Sequence, residues 1–498
     1  MDKNAIKKYA VWARQELITR VAQRAAKYCI TEKEMVSASA ESVNGTLLTA
    51  TEKRQRSALI SQISHKGYNE VIEEVAYTWF NRFTALRFME VNGYLPNHVR
   101  VFTDDNNAFH PQILTEAINL ELNGLDMEKV FALKNANSKD ELFKYLVITL
   151  CNSFSSILPE MFQKIDDYTE LLFPDNLLRE GSVIEKMIAL INEEDWKDKV
   201  QIIGWLYQYY NSEPKDKVFA DLKKNVKISK ENIPAATQLF TPDWIVRYMV
   251  ENSLGRLWVD GHGYFDKSEW KYYLEEAEQE DSVKAQLDKL RADSKNLSPE
   301  DIKFIDPCMG SGHIIVYAFD VLMQIYLSQG YTERDATSLI VEKNLFGVDI
   351  DKRAYQLAYF ALMMKARQYD RRFLTRGIKP NLCNLQDIAE IDASKLTGEL
   401  GAFARQFADC DTYGSLIEVQ QFDTDKIKAL IDDYEENLDT LGYTEFLPKL
   451  LGAYKIFAQK YDVCCTNPPY MGGSGMNAKL ADFVRTCLHK LKSTQQGL

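Results

Sequence analysis

The chain has 498 residues, which is too long for one small binding module and leaves room for more than one domain. Hydrophobic residues make up 46% and charged residues 27%, a globular composition that excludes a largely disordered chain. The formal net charge of −12 predicts that the chain as a whole is not built to bind a polyanion.

The cysteines and the apolar stretches predict a cytoplasmic protein. The eight cysteines include no Cys-x-x-Cys pair, and only Cys464 and Cys465 are adjacent, so neither a disulfide framework nor a zinc site is expected. The sequence starts without a secretory signal, and its longest apolar stretch, near residues 314–327, is interrupted by Asp320 and is too short to span a bilayer. We therefore expect a reducing compartment, no membrane contact and no metal.

Residues 1–230 are predicted to form a mostly helical domain. Apolar residues recur at three- and four-residue steps from Ile6 to Tyr28, and aromatic residues crowd the segment from Val71 to Val91. Thr31 and Glu34 have the spacing of a capping box and predict the start of another helix. The density of aromatic residues is most simply explained by a packed core.

From residue 231 the pattern changes to that of an α/β domain extending to residue 498. Short apolar runs that end in Asp, Asn or Gly alternate with helical stretches. The segment 266–297 is rich in charged residues and predicts an exposed helical insertion. Thr241 and Pro242 fit the N-cap and first residue of a helix that Gly255 would end.

A short strand, a glycine-rich turn and an apolar helix follow one another in this domain. The strand ends in Asp306, and the turn contains Gly310, Ser311 and Gly312. Glycine lets the backbone approach a ligand closely, and a helix N-terminus presents free N–H groups. The turn lacks the third glycine of a dinucleotide fingerprint and the Gly-Lys-Ser/Thr of a phosphate loop. Asp306 suits a ligand that carries positive charge, such as an amino group.

Acidic residues also follow the next two predicted strands. Asp349 closes the second strand, where a carboxylate can accept hydrogen bonds from ribose hydroxyls; a helix cap is the alternative role. For Asp351 we prefer the cap. Asp387 follows the third strand and is a candidate partner for an adenine amino group.

A fourth predicted strand, 461–466, runs into Asn467-Pro468-Pro469-Tyr470. Two successive prolines cannot continue a strand ladder, so the chain must leave the sheet in a stiff, fixed shape. Asn467 supplies an amide oxygen, Pro468 a carbonyl and Tyr470 a flat ring. This set suits an amino group attached to an aromatic ring; a turn with a packed tyrosine is the alternative.

These motifs, in this order, resemble those of the γ-class adenine-specific DNA methyltransferases, which use S-adenosylmethionine. The sequences DPCMGSG, FGVDID and NPPY carry the resemblance, and QLFTP resembles the upstream Phe-Thr-Pro motif of that class. The MGSGH form of the turn, the helical first half with WFNRFTALRFMEVNGYLP, the IGWLYQYY segment and the residues after NPPY are most similar to the PglX family of BREX phage-exclusion systems. The resemblance implies an α/β fold with a doubly wound, Rossmann-like methyltransferase sheet, preceded by a mostly helical domain.

The resemblance also implies roles for individual residues. The cofactor-binding residues are Phe240 and Thr241 at the methionine end, Asp306, Gly310, Ser311 and Gly312 beneath the cofactor, Asp349 at its ribose and Asp387 at its adenine. The catalytic residues are Asn467, Pro468, Pro469 and Tyr470; Asn467 and Pro468 orient the amino group of a flipped-out adenine, and Tyr470 stacks on that base. The implied partners are double-stranded DNA, bound through the full-length protein, and other phage-defence proteins.

The sequence departs from the family after NPPY. The family continues with strands five to seven of its sheet and a target-recognition domain, whereas residues 471–498 follow here. From this we expect a truncated chain or a fragment, with a sheet that is incomplete on its C-terminal side and little sequence-specific methylation of its own.

Two other functions remain open. One is amino methylation of RNA or of protein glutamine, although such enzymes are usually more compact than this chain. The other is non-catalytic binding of the cofactor or of a defence-complex partner. A fused nuclease is not favoured, because the Glu-x-Lys matches at 213–215 and 269–271 lack a preceding strand and acid at suitable spacing.

Overall fold

A computed structural model of the chain describes residues 1–498 except 166, 225, 227, 229–240, 471–475 and 496–498. The chain divides into two units, Met1–Glu213 and Pro214–Leu498. In the part of the chain so described, no helix combines the length and the apolar composition needed to cross a bilayer.

The first unit is built mainly of helices. In chain order these are α1 (Lys3–Lys27), α2 (Ala50–Lys66), α3 (Tyr68–Val91), α4 (Gln112–Thr115), α5 (Met127–Asn135), α6 (Lys139–Ser153), α7 (Tyr168–Leu171), α8 (Val183–Leu190) and α9 (Gln201–Tyr210). Strands β1 (Ser42–Val43) and β2 (Thr46–Leu47) form a small antiparallel hairpin. Helix α1 packs against α3, α8 and α9. Its buried stripe has the spacing predicted for a core-facing helix: Ile6, Tyr9, Ala10, Ala13, Leu17 and Val21.

The capping box predicted at Thr31 and Glu34 is wrong. The Glu34 N–H does donate to Thr31 Oγ1 at 3.0 Å, but the segment forms an isolated antiparallel bridge and no helix begins there. Thr49 and Glu52 form the capping box of α2, with reciprocal hydrogen bonds of 3.2 and 2.9 Å. Residues 35–48 contain Ser, Asn and Gly, which favour turns over helix and delay the helix start to residue 50.

The second unit has a mixed α/β fold around a parallel sheet. Its strands are β3 (Phe304–Asp306), β4 (Leu345–Asp349), β5 (Asn381–Asn384) and β6 (Val463–Cys464). They are ordered β5-β4-β3-β6, and every pairing is parallel. The helices are α10 (Ser212–Leu222), which starts at the end of the first unit, α11 (Asp243–Val250), α12 (Arg256–His262), α13 (Asp281–Ser294), α14 (His313–Ser328), α15 (Glu333–Leu339), α16 (Lys352–Tyr369), α17 (Leu385–Ile388), α18 (Gly398–Arg405), α19 (Cys410–Tyr413), α20 (Thr424–Asp432), α21 (Tyr443–Ala458) and α22 (Ala478–Gln495).

The two faces of this sheet pack against different helices. Side chains alternate along a strand, so neighbours on β4 face opposite ways. Phe346 and Val348 join an apolar cluster with the helices between residues 385 and 458. Gly347 faces α14, where a Cβ would meet Ile315. Helices α14 and α16 therefore cover one face, and the segment from α17 to α21 covers the other.

Helix α11 differs from the sequence prediction at both ends. Pro242, and not Thr241, is the N-cap residue, and no side chain caps the helix. The helix also continues past Gly255, because a π-helical segment joins α11 to α12. Gly255 is required for packing, since a Cβ there would lie 2.8 Å from the Trp270 ring. The predicted cap and the predicted stop are both wrong.

Gly347 offers a test of this packing. A Cβ at Gly347 would lie 2.6 Å from both Ile315 Cδ1 and Met309 Sδ. We expect Gly347→Ala to lower the free energy of unfolding by about 1–3 kcal/mol, because overpacking forces core side chains to shift. Gly452→Ala in α21 is the matched control, since a Cβ there meets no atom within 4 Å. Urea unfolding followed by circular dichroism measures both; equal stability of the two variants would contradict the packing described.

Candidate active site at the carboxyl edge of the sheet

The carboxyl ends of the parallel strands meet at one edge of the sheet. Strand β3 ends at Asp306, β4 at Asp349 and β5 at Asn384, and β6 leads into Asn467. Asp349 and Asn384 are paired in the strand register. The chain order reverses between β3 and β6. In open α/β sheets such a reversal opens a crevice beyond the strand ends, where ligands bind.

Asp306 is a buried carboxylate at this crevice. It is 1% exposed, and its Oδ1 accepts a hydrogen bond from the Cys308 N–H at 3.1 Å. In the described residues, Oδ2 forms no hydrogen bond of normal geometry. Burial raises the pKa of Asp306 to about 7, and the nearby Thr466 hydroxyl and the Cys308 amide oppose the rise. A buried carboxylate oxygen without a partner is costly, so it points to a ligand that donates hydrogen bonds.

The glycine turn connects β3 to α14. Gly310 and Gly312 have φ values of +53° and +82°, a region that favours glycine. A Cβ on Gly312 would lie 3.0 Å from the Cα and Cβ of Ala358 in α16. Between the two glycines, Ser311 Oγ lies 3.4 Å from His313 Nδ1. The turn therefore needs glycine at both positions, and it leads directly into the N-terminus of α14.

Asp349 ties the second strand to the glycine turn. Its carboxylate accepts hydrogen bonds from the backbone N–H groups of Gly310 and Asp351, both at 2.8 Å. Asp349 is partly exposed, and burial together with the negative charge of Asp351 raises its pKa to about 7. Asp351 caps α16 by accepting from the Arg353 N–H, as predicted. Asp349 is therefore held at the crevice by two backbone donors.

Asp387 has two charged neighbours that the sequence pattern did not indicate. It lies in α17 and is 6% exposed. Lys352 Nζ lies 2.9 Å from Oδ1, and Lys449 Nζ lies 3.4 Å from Oδ2. Both carboxylate oxygens of Asp387 are thus engaged in ion pairs.

Asn384 is a candidate site residue that sequence reasoning missed. It is 5% exposed at the tip of β5, and its Oδ1 caps α17 by accepting from the Gln386 N–H at 3.1 Å. Its Nδ2 is buried and has no hydrogen-bond partner in the part of the chain that the structure describes. The signal that could have found it is its position, because Asn384 ends its strand as Asp349 ends the preceding one.

The segment after β6 contacts Thr241, the residue before the N-cap of α11. Asn467 Nδ2 donates a hydrogen bond to Thr241 Oγ1 at 3.1 Å, and the Tyr470 hydroxyl donates to Asn467 Oδ1 at 2.9 Å. Thr241 is buried, whereas Tyr470 is 77% exposed and both Pro468 and Pro469 are exposed. The structure thus joins two motifs that are far apart in sequence and leaves the tyrosine ring accessible.

Most of the residues singled out from the sequence lie at this one edge. Phe240 lies outside the described residues. The edge contains Thr241, Asp306, Gly310, Ser311, Gly312, Asp349, Asp387, Asn467, Pro468, Pro469 and Tyr470. Among the residues that the structure describes, no group of His, Cys, Asp and Glu is arranged to hold a metal ion.

Comparison with known families identifies the class of protein that this chain resembles. Residues 343–497 match the model of the Eco57I restriction-modification methylase family. The match starts just before β4 and contains Asp349, Asp387 and the NPPY segment.

Two adenine-specific methyltransferases are similar to almost the whole chain. These are PglX of Lacticaseibacillus casei (strain Zhang) and BrxX of Escherichia coli O9:H4 (strain HS), each 38% identical over 97% of this chain. The chain spans 44% of the length of each relative. The resemblance to adenine-specific methyltransferases that the motifs indicated is confirmed by these similarities.

One solved structure is also similar, an ATP-dependent Type ISP restriction-modification enzyme, LlaBIII, bound to DNA. The alignment covers 93% of this chain and 24% of that one, with 12% identity and a TM-score of 0.31. These values are too low to identify a shared fold.

The raised pKa of Asp306 predicts how stability depends on pH. The folded state keeps a proton on Asp306 up to about pH 7, whereas the unfolded state releases it near the ordinary value of about 3.9. The contribution of Asp306 to the free energy of unfolding therefore falls as the pH rises from about 4 to 7. We expect the melting temperature of Asp306→Asn to fall less over this range than that of the parent chain. Asp281→Asn, on the exposed surface of α13, is the control. Parallel pH profiles for the parent and Asp306→Asn would contradict the assignment.

Proposed function

We propose that the chain carries the catalytic sheet of a site-specific adenine-N6 DNA methyltransferase of a phage-defence or modification system. The observation that carries the proposal is the position of NPPY beside the glycine turn, because β6 and β3 are paired and end at the same edge. The strand order and the helices on both faces support a doubly wound, Rossmann-like sheet. In this proposal residues 231–498 form the methyltransferase domain, and residues 1–230 form a separate helical domain.

The residues at the edge fit S-adenosylmethionine. Its amino group is a cationic donor, and Asp306 Oδ2 is a buried acceptor that has no hydrogen bond of normal geometry in the described residues. Asp349, at the tip of the next strand, suits the ribose hydroxyls, and Gly310 and Gly312 allow a close approach of the ligand. The resemblance places Phe240 and Thr241 at the methionine end, and we keep this assignment for Phe240. When bound, this cofactor supplies a methyl group on a positively charged sulfur.

The NPPY segment suits the amino group of a target adenine. Asn467 Oδ1 and the Pro468 carbonyl are two acceptors for its two hydrogens, and the exposed Tyr470 ring can stack on the base. The lone pair of such an amine is conjugated with the ring, so binding both hydrogens favours a more tetrahedral and more nucleophilic nitrogen. The base must leave the duplex to reach these groups. Most of the rate enhancement then comes from positioning.

Two residues are proposed for the adenine of the cofactor. The resemblance assigns Asp387, whose carboxylate would accept from the adenine amino group. The structure favours adding Asn384, because its buried Nδ2 can donate to a ring nitrogen, whereas the Asp387 oxygens are already paired with Lys352 and Lys449. A polar group that is left unpaired in the crevice gains most from the ligand.

Substitutions at Asn384 and Asp387 test which of the two residues contacts the adenine of the cofactor. We expect Asn384→Ala to weaken S-adenosylmethionine binding by about tenfold, because the buried donor loses its ligand contact. We expect Asp387→Asn to weaken binding less, because its side chain is occupied by lysines. Isothermal titration calorimetry measures both, with the melting temperature as the control for folding. A larger effect for Asp387→Asn would return the adenine contact to Asp387 alone.

The DNA assignment is supported by the similarity to PglX and BrxX, which are both named adenine-specific methyltransferases. Because the chain spans 44% of each, double-stranded DNA and other phage-defence proteins are proposed as partners of the full-length protein. RNA, protein glutamine and non-catalytic cofactor binding are the alternative functions.

Methyl transfer distinguishes these functions. We expect the chain to bind S-adenosylmethionine in calorimetry. In single turnover with enzyme in excess, we expect it to move tritiated methyl to DNA as N6-methyladenine slowly and with little sequence preference, because it spans only 44% of the length of each relative. We expect Asn467→Ala to keep the cofactor affinity and to lower the transfer rate by about 100-fold or more. Transfer to RNA or protein in place of DNA would contradict the substrate, and cofactor binding without any transfer would leave only the binding function.

A further inference from the structure

The two ends of the Asn467 side-chain amide have different surroundings. Its Nδ2 donates to Thr241 Oγ1, which belongs to a residue that is 7% exposed. Its Oδ1 accepts from the hydroxyl of Tyr470, which is 77% exposed. The donor end of the amide therefore contacts a buried residue, and the acceptor end contacts an exposed one.

The Thr241 hydroxyl is available for this contact because the helix does not use it. Helix α11 has Pro242 as its N-cap residue, and no side chain caps its first turn. A hydroxyl offers two acceptor lone pairs, and an amide nitrogen that is turned toward the interior needs an acceptor. The hydrogen bond spans 226 residues of sequence and links Asn467 to Thr241.

The direction of the amide matters for the proposed reaction. The target amino group is a donor, so Asn467 must present Oδ1 and not Nδ2. A reversed amide would point N–H groups at N–H groups, which repel and would leave the amine unheld. The Tyr470 hydroxyl shows that a donor on the exposed side can reach Oδ1 at 2.9 Å.

We propose that Thr241 is a positioning residue for the methyl acceptor: its hydroxyl holds the Asn467 amide with Oδ1 facing the target amino group. The Tyr470 hydroxyl occupies Oδ1 until the base arrives, and it leaves Oδ1 when its ring stacks on the base. This role rests on the proposed function, and it differs from the contact with the methionine end that the resemblance assigns to Thr241.

The first test measures the contact without cofactor. Melting temperatures are compared for the parent chain, Thr241→Val, Asn467→Ala and the double variant. We expect the double variant to shift less than the sum of the two single shifts, because each substitution alone already removes the shared hydrogen bond. Shifts that add within error would overturn the inference, whatever the activity of the chain.

The second test separates positioning from cofactor binding. We expect Thr241→Val to lower the single-turnover rate of methyl transfer by about tenfold with unchanged affinity for S-adenosylmethionine. Thr241→Ser keeps the hydroxyl and is expected to retain most of the parent rate. A loss of affinity in proportion to the loss of rate would overturn the inference in favour of a methionine-end contact. If the parent chain transfers methyl to no acceptor, the proposed function fails and the inference with it. If the parent chain transfers methyl and Thr241→Val does so at the same rate, the inference alone fails.

Discussion

The parallel pairing of β3 with β4 on one side and with β6 on the other is the constraint on which the site depends. Parallel strands end at the same edge, so the pairing brings Asp306, Asp349 and the segment after β6 together although they are spread over 160 residues of sequence. The chain order reverses beside β3, which is the position at which open α/β sheets bind ligands. Asp306, Asp349 and Asn467 therefore lie at the same edge because of where their strands end.

Two buried polar atoms at this edge lie at the tips of strands β3 and β5. Asp306 Oδ2 and Asn384 Nδ2 form no hydrogen bond of normal geometry among the residues described. A fold selected only for stability would pair or remove such groups. In the proposed function they are groups that a ligand satisfies, and the raised pKa of Asp306 is the consequence of burying a carboxyl group there.

Local sequence patterns predicted the part of the site that depends on local backbone geometry. The strand before the glycine turn, the helix from His313 and the cap at Asp351 could be predicted, because glycine, strand-end acids and Asx caps act within a few residues. The Thr241–Asn467 bond could not, because nothing near either residue reports a partner 226 positions away.

Other features depend on packing that a linear pattern does not contain. The sequence pattern predicts that Gly255 ends a helix. In the structure its role is packing, because a Cβ at this position would lie 2.8 Å from the Trp270 ring. Asp387 has the position of a ligand residue, but Lys449 arrives from a helix 62 residues away. Strand β6 is also shorter than the apolar run 461–466, because pairing with β3 covers only Val463 and Cys464.

The proposed function requires this edge to bind S-adenosylmethionine with its amino group at Asp306 and its ribose at Asp349. A crystal structure of the chain with S-adenosylhomocysteine tests it most directly, since that product keeps both groups. We expect the ligand amino group within hydrogen-bond distance of Asp306 Oδ2 and the ribose hydroxyls at Asp349. A ligand bound elsewhere, or bound at this edge with its amino group away from Asp306, would rule out this binding mode.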